Sequence, residues 1–389
     1  MALTTRLKPQ LNPTTALTLV GLLSILVLLP LARILWTTVA DRGLEVWLQV
    51  VASDLSPNLF WTPLFNTLVM GVIVGVGCIV IGGFLAWLVI LTDIPGRRLI
   101  GLLSSLPFML PNFALALAWE TVMRNERVGG DVGILHSLGV PIPDWLAWGF
   151  VPIVLLLTAH YYSLAYSLIA AALTSVNADL IEAGEMTGAS RVRVLVGILL
   201  PVVLPSMVAA GLLTFAAAVS AFAVPALLGL PVRFYTLSTR LYGMISTGQV
   251  ERGYVLAVLL IVVAAGLLWI GNRMISGRRA FTTITGKGGR RKRLALRAWR
   301  IPAFALALFI CLVTTIFPAL ILLASSFAIK ADSFTSGFTA HYWIGESSME
   351  IAQGQAGILR NPQVLDALIN TLVMSALVAI AATIFGFAI

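Results

Sequence analysis

The sequence predicts an all-α polytopic membrane protein of about eight transmembrane helices, and three observations carry that prediction. Of the 389 residues, 59% are hydrophobic and 11% are charged, with a mean hydropathy of +0.99. So little polar surface cannot keep a globule of this size in water. The apolar residues gather into runs of bilayer-crossing length, at 15–36, 64–91, 99–119, 147–173, 201–224, 253–271, 302–326 and 367–389. The basic residues collect between alternate runs: segments 1–14, 92–98, 174–200 and 272–300 hold 16 Lys and Arg against 4 Asp and Glu, and the opposite loops hold 8 against 12. That asymmetry predicts a cytoplasmic N-terminus. It also accounts for the formal charge of +9 without nucleic acid, which would need a basic soluble face interleaved with aromatics.

Residues 1–14 read as a cytoplasmic N-terminus. The run at 15–36 is too long for the core of a signal peptide and meets Pro30-Leu-Ala-Arg33 in place of a small-residue cleavage site. It is expected to stay as an anchor, with Arg33 reaching the interface beside Trp36. Five more runs close a six-helix unit over 15–272. Their interiors hold almost no ionisable side chain; the exception is His160, within Thr158-Ala-His-Tyr-Tyr-Ser-Leu-Ala-Tyr166. It is read as a packed, hydrogen-bonded residue in preference to one lining a pathway. A proton- or sodium-coupled carrier usually keeps an acid within the membrane, and this absence, with the parallel repeat of segment 302–389, makes a self-sufficient secondary carrier or channel the weaker alternative. Cys78 and Cys311 lie inside apolar runs without metal or redox spacing. No nucleophile–base pair marks an enzyme.

Segment 273–301 reads as a basic cytoplasmic linker, since Arg273 to Arg300 carry ten Lys and Arg and no acid. Within it Thr285-Gly-Lys-Gly288 superficially suggests a phosphate loop. However, Lys287 is followed by glycine in place of Ser or Thr, and Gly286 has no glycine five residues before it. The remainder, 302–389, opens a repeat: Ile369-Asn-Thr-Leu-Val-Met374 answers Phe65-Asn-Thr-Leu-Val-Met70 at an offset of 304, which Gly82 and Gly386 keep. Pro318 weakly echoes Pro30. These features predict the first two helices of a second, parallel copy of the six-helix unit.

One polar segment stands out, at 177–200, containing Ile181-Glu-Ala-Gly-Glu-Met-Thr-Gly-Ala-Ser190 and ending in Gly197-Ile-Leu-Leu-Pro201. Asn177 or Asp179 can cap a first short helix, with Glu182 and Glu185 at its positive end. Gly188 suits the left-handed turn that closes it, and Ser190 can cap a second helix. Ala183 and Gly184 leave one face nearly bare, open to close approach by a partner.

Here the chain resembles the membrane permeases of binding-protein-dependent ABC importers, whose pattern is E-A-A-x3-G-x9-I-x-L-P. Glu182, Ala183, Gly188, Ile198, Leu200 and Pro201 match at the required spacing, and Gly184 replaces the second alanine. The resemblance implies a type I importer permease in the bacterial inner membrane, with Ile181–Ser190 as the coupling helix. Its implied partners are two cytoplasmic ATPase subunits, which hold the ATP, and a periplasmic or lipoprotein substrate-binding protein. It implies no cofactor, metal or catalytic residue on this chain. The stretches Phe222–Gly229, Phe234–Gly243 and Phe281–Arg290 are similar to fused two-copy permeases for ferric iron, thiamine or phosphonate. That implies ferric iron as the first expectation, with thiamine or phosphonate/polyamine uptake as alternatives. Ala221 departs from the polar or acidic residue expected before Phe222. The repeat further leads us to expect a truncated second copy, with another Glu-Ala-Ala motif near about position 486 of a chain of about 560–580 residues.

Overall fold

The computed structural model describes residues 13–40, 43–175, 186, 193, 195–276, 294–330, 333–349 and 351–388. Its helices are α1 (Pro13–Val39), α2 (Gly43–Val51), α3 (Thr62–Leu91), α4 (Arg97–Ser105), α5 (Asn112–Met123), α6 (Phe150–Thr174), α7 (Leu200–Ser220), α8 (Ala223–Gly229), α9 (Leu237–Ser246), α10 (Val250–Ser276), α11 (Arg300–Cys311), α12 (Phe317–Ser325) and α13 (Pro362–Ala388). Three helices of four residues lie in the connections, with a two-stranded ribbon at Ala328–Lys330 and Ser333–Phe338. The chain forms two compact units, Val46–Ser336 and one built from its two ends.

Among the described residues six helical stretches are long and apolar enough to cross a membrane, and eight if two bent pairs each count as one. One bent pair corrects the run expected at 99–119. That run is two helices meeting at 95°, because Pro107 and Pro111 remove amides from its middle and Pro111 is extended at ψ 132°. The run expected at 201–224 also stops early. Ala221 turns extended after Ser220, and α8 starts afresh at Ala223.

The core of Val46–Ser336 is built around α3. Its buried positions recur every three or four residues, through Thr67, Met70, Gly71, Val74, Gly75, Cys78, Gly82 and Leu85. Phe65, Val72, Val76 and Val80 face outward. This is one packed stripe on an otherwise apolar helix, as lipid on the other side requires. Small residues let backbones touch. A methyl at Gly82 would lie 2.6 Å from the Tyr166 amide nitrogen and 2.7 Å from the Tyr162 carbonyl, on α6. One at Gly75 would lie 3.2 Å from the Gly211 carbonyl, on α7.

The helix that opens the expected second copy sits on this same core. Ala307 and Cys311 are fully buried, the Tyr162 and Thr314 hydroxyls lie 3.0 Å apart, and Ser104 Oγ is 3.6 Å from Cys311 Sγ. Its lead-in is held too, since the Leu294 amide donates to the Leu91 carbonyl at 2.7 Å and the Leu296 amide to Asp93 Oδ1 at 2.9 Å. In the other unit, α13 is exposed along its described length, with Leu365 half-buried.

Candidate functional site: the coupling segment and the opposite strap

Of the residues expected to couple to ATPases, Glu182, Ala183, Gly184 and Gly188 lie outside the described residues. Ile198, Leu200 and Pro201 are described, and they form the root of the segment. A wide π-type turn at Leu195–Leu199 runs directly into α7. Pro201 sits just past the junction of the two, and having no amide to donate back into the preceding turn it falls where the wider turn gives way to α7. The side chains then divide. Leu199 and Val203 are buried and Ile198 packs half-buried against the core, whereas Val196, Leu200 and Pro201 are exposed. Val196, Leu199, Leu200 and Val203 line one side of an apolar cleft of about 440 Å³, facing Gly83, Phe84 and Trp87 of α3 and Ile169 and Leu173 of α6. The segment's root is therefore wedged against two core helices.

At the opposite end of α3, α6 and α7 lies a polar strap that sequence reasoning marked only as part of the resemblance. Arg233 takes the left-handed conformation at φ 60°, rare outside glycine, and turns the chain back so that the Phe234 amide donates to the Gly229 carbonyl at 2.9 Å. Thr236 then caps α9. Its hydroxyl accepts from the Thr239 amide and the Thr239 hydroxyl accepts from the Thr236 amide at 2.9 Å, a capping box built from two threonines.

The strap is bonded to all three core helices. Asn66 Nδ2 donates to the Tyr235 carbonyl at 2.9 Å. The Leu237 amide donates to Thr67 Oγ1 at 2.8 Å, and that hydroxyl donates onward to the Pro63 carbonyl at 2.6 Å. Ser238 Oγ donates to the Ala221 carbonyl at 2.7 Å, and the Gly149 amide to the Leu228 carbonyl at 2.8 Å. Thr67, Thr236, Leu237, Ser238 and Thr239 are all buried. At Ala221, where the resemblance led to a polar or acidic residue, the backbone carbonyl accepts the bond from Ser238 and the side chain is a buried methyl.

His160 is buried, with Nδ1 3.0 Å from the Pro107 carbonyl and its ring against Phe108 and Tyr161. It meets a carbonyl within the break between α4 and α5. Beyond α5, Asn125 organises the loop to α6. Its Nδ2 donates to the Ile142 carbonyl and to Asp144 Oδ1, at 3.0 and 2.8 Å, and its Oδ1 accepts from Trp148 Nε1 at 2.9 Å. Arg127 pairs with Asp144 at 2.7 Å. Among the described residues no three His, Cys, Asp or Glu gather as metal ligands.

Among the described residues the chain is a bundle of apolar, membrane-length helices closed at one end by a hydrogen-bonded polar strap. The family of binding-protein-dependent transport system inner membrane components matches residues 78–279, from the middle of α3 past the end of α10. The chain belongs to that family and is a multi-pass inner-membrane protein.

Two relatives set the scale of likeness. The putative 2-aminoethylphosphonate transport system permease protein PhnU of Salmonella typhimurium is 26% identical over 190 residues, 49% of this chain and 65% of PhnU. The probable ABC transporter permease protein y4fN of Sinorhizobium fredii is 28% identical over 286 residues, 71% of this chain and 49% of y4fN. The chain thus spans less than two thirds of either relative. Among solved structures, the bacterial alginate ABC transporter in complex with an alginate pentasaccharide-bound periplasmic protein matches with a TM-score of 0.56 at 17% identity, over 69% of this chain and 94% of that chain. The shared fold is that of type I ABC importer permeases.

Proposed function

We propose that this chain forms the transmembrane pathway of an ATP-driven importer. A substrate-binding protein delivers a small solute to the outer face, and two cytoplasmic ATPases, which hold the ATP, drive the pathway through the Glu182–Pro201 segment. The observation that carries this reading is the family match across residues 78–279 with the spacing from Glu182 to Pro201 intact. In this scheme Ala183 and Gly184 offer a bare face to an ATPase cleft, and Gly188 makes the turn that closes the helix. Closure of the ATPases displaces the segment, and Leu199 and Val203, buried against the core, pass that displacement into α7. Two states biased by nucleotide suffice for alternating access.

For the solute, ferric iron is the first reading, with thiamine and phosphonate or polyamine as its alternatives. The names of the PhnU relatives favour a phosphonate. Cells with and without the chain, offered 2-aminoethylphosphonate, ferric iron, thiamine and a polyamine in turn, separate these readings. Ala183→Glu puts charge into a close contact, and Gly188→Val puts a β-branched side chain at a turn suited to positive φ. Each is expected to abolish uptake with membrane insertion unchanged. Uptake at the full rate by both variants would remove the coupling assignment.

A further inference from the structure

The ends of α3, α6 and α7 opposite the coupling segment are held differently from their middles. Along their lengths α3 and α7 meet by apolar packing: Gly75 lets the backbones approach, Phe215 and Val219 cover Gly71, and Ile79 covers Gly211, contacts that carry no directional bond. At this end the contact changes character. The strap from Leu228 to Thr239 takes hydrogen bonds from Asn66 and Gly149, gives one to Thr67 and gives another to the Ala221 carbonyl. Each bond has a backbone partner. The Leu237 amide is in the first turn of α9, which has no partner for it within the helix. In a buried, water-poor place such a group has few substitutes.

We propose that this strap is a pin that makes α3, α6 and α7 turn as one body, with Asn66 and Thr67 as its positioning residues. The need for it follows from the coupling reading, on which this inference rests. The 21 residues of α7 carry any push at Pro201 across about 30 Å. Packing along the helices resists that push by shape alone, and the strap adds directional hydrogen bonds that fix the register of α7 on α3 at the far end. Thr67 is placed to do this because its hydroxyl serves two bonds at once: it accepts from the strap and donates to Pro63 on its own helix. Asn66 supplies the donor beside it. Neither residue needs to touch the solute.

The test is the distance distribution between nitroxides at Phe65→Cys and Ser220→Cys, at the exposed strap-side ends of α3 and α7. The chain also carries Cys78→Ala and Cys311→Ala, and is held in nanodiscs. The native pair is expected to give one narrow distribution. After trapping ADP–vanadate on the assembled ATPases it should shift by less than about 2 Å. Thr67→Val, which keeps shape but loses the acceptor, should broaden the distribution, and Thr67→Ser should restore it. ATP hydrolysis by the Thr67→Val assembly should persist, which a folding defect would not allow. A narrow distribution in Thr67→Val, or a larger shift in the native pair on trapping, would overturn the pin. The nucleotide-free comparison needs no ATPase, so it decides the pin even where Ala183→Glu has removed the coupling assignment.

Discussion

The run Asn-Thr-Leu-Val-Met occurs twice, and its two copies have opposite surroundings. Met70 is fully buried, whereas Met374 is 69% exposed. Thr67 accepts the amide of a residue 170 positions away, whereas Thr371 donates to Ala367 on its own helix. A methyl at Gly82 would press on the backbone of α6, and one at Gly386 would meet open space. The side chains are the same, so the difference lies wholly in what stands opposite them. In a water-soluble protein an unpacked apolar face would carry a large hydrophobic cost. For an apolar helix in a bilayer that cost is absent, because lipid tails are as apolar as a packed neighbour.

Paired substitutions at matched positions can break that comparison. The largest difference should come from Met70→Ala against Met374→Ala. The first opens a cavity in a closed core and is expected to cost about 2–5 kcal/mol. The second should stay within about 0.5 kcal/mol. Unfolding of the purified chain in mixed detergent measures both, and equal losses would show that the second copy is packed as the first is. A smaller difference is expected from Gly82→Ala against Gly386→Ala. Overpacking against the Tyr162 and Tyr166 backbone should cost about 1–3 kcal/mol. At Gly386 the gain in helix propensity should leave the chain unchanged or more stable by up to about 1 kcal/mol. A destabilising Gly386→Ala would reveal a neighbour for that face and sharpen the comparison into a second site of close approach.

Much of this architecture was legible in the residues. Length and hydropathy located the spans, and the motif ending in Ile198-Leu-Leu-Pro201 led to the root of α7. The break between α4 and α5 was written in Ser105-Leu-Pro-Phe-Met-Leu-Pro111, but averaging hydropathy over a membrane-length window hides two prolines among apolar neighbours. The strap was less accessible. Its hydroxyls in Tyr235-Thr-Leu-Ser-Thr239 were visible, as was the Asn66-Thr67 pair, yet their meeting joins positions 169 apart, which no local period encodes. A buried polar pair at the head of an apolar helix was the available signal, since such groups need partners. His160 shows the reverse case, where chemistry alone predicted packing and the Pro107 carbonyl supplies the bond.

The coupling assignment is tested most directly by chemistry at its barest face. Ala183→Cys, placed in a chain carrying Cys78→Ala and Cys311→Ala, should form a cross-link to the ATPase subunit with a short bifunctional thiol reagent in inverted membrane vesicles. The yield should change between the nucleotide-free and ATP-bound states, because the segment is displaced as the ATPases close. A matching cysteine at exposed Ser246, on the opposite side of the bundle, should give no such product. Failure of the Ala183→Cys chain to cross-link in either state, while the assembled transporter still hydrolyses ATP, would contradict the account.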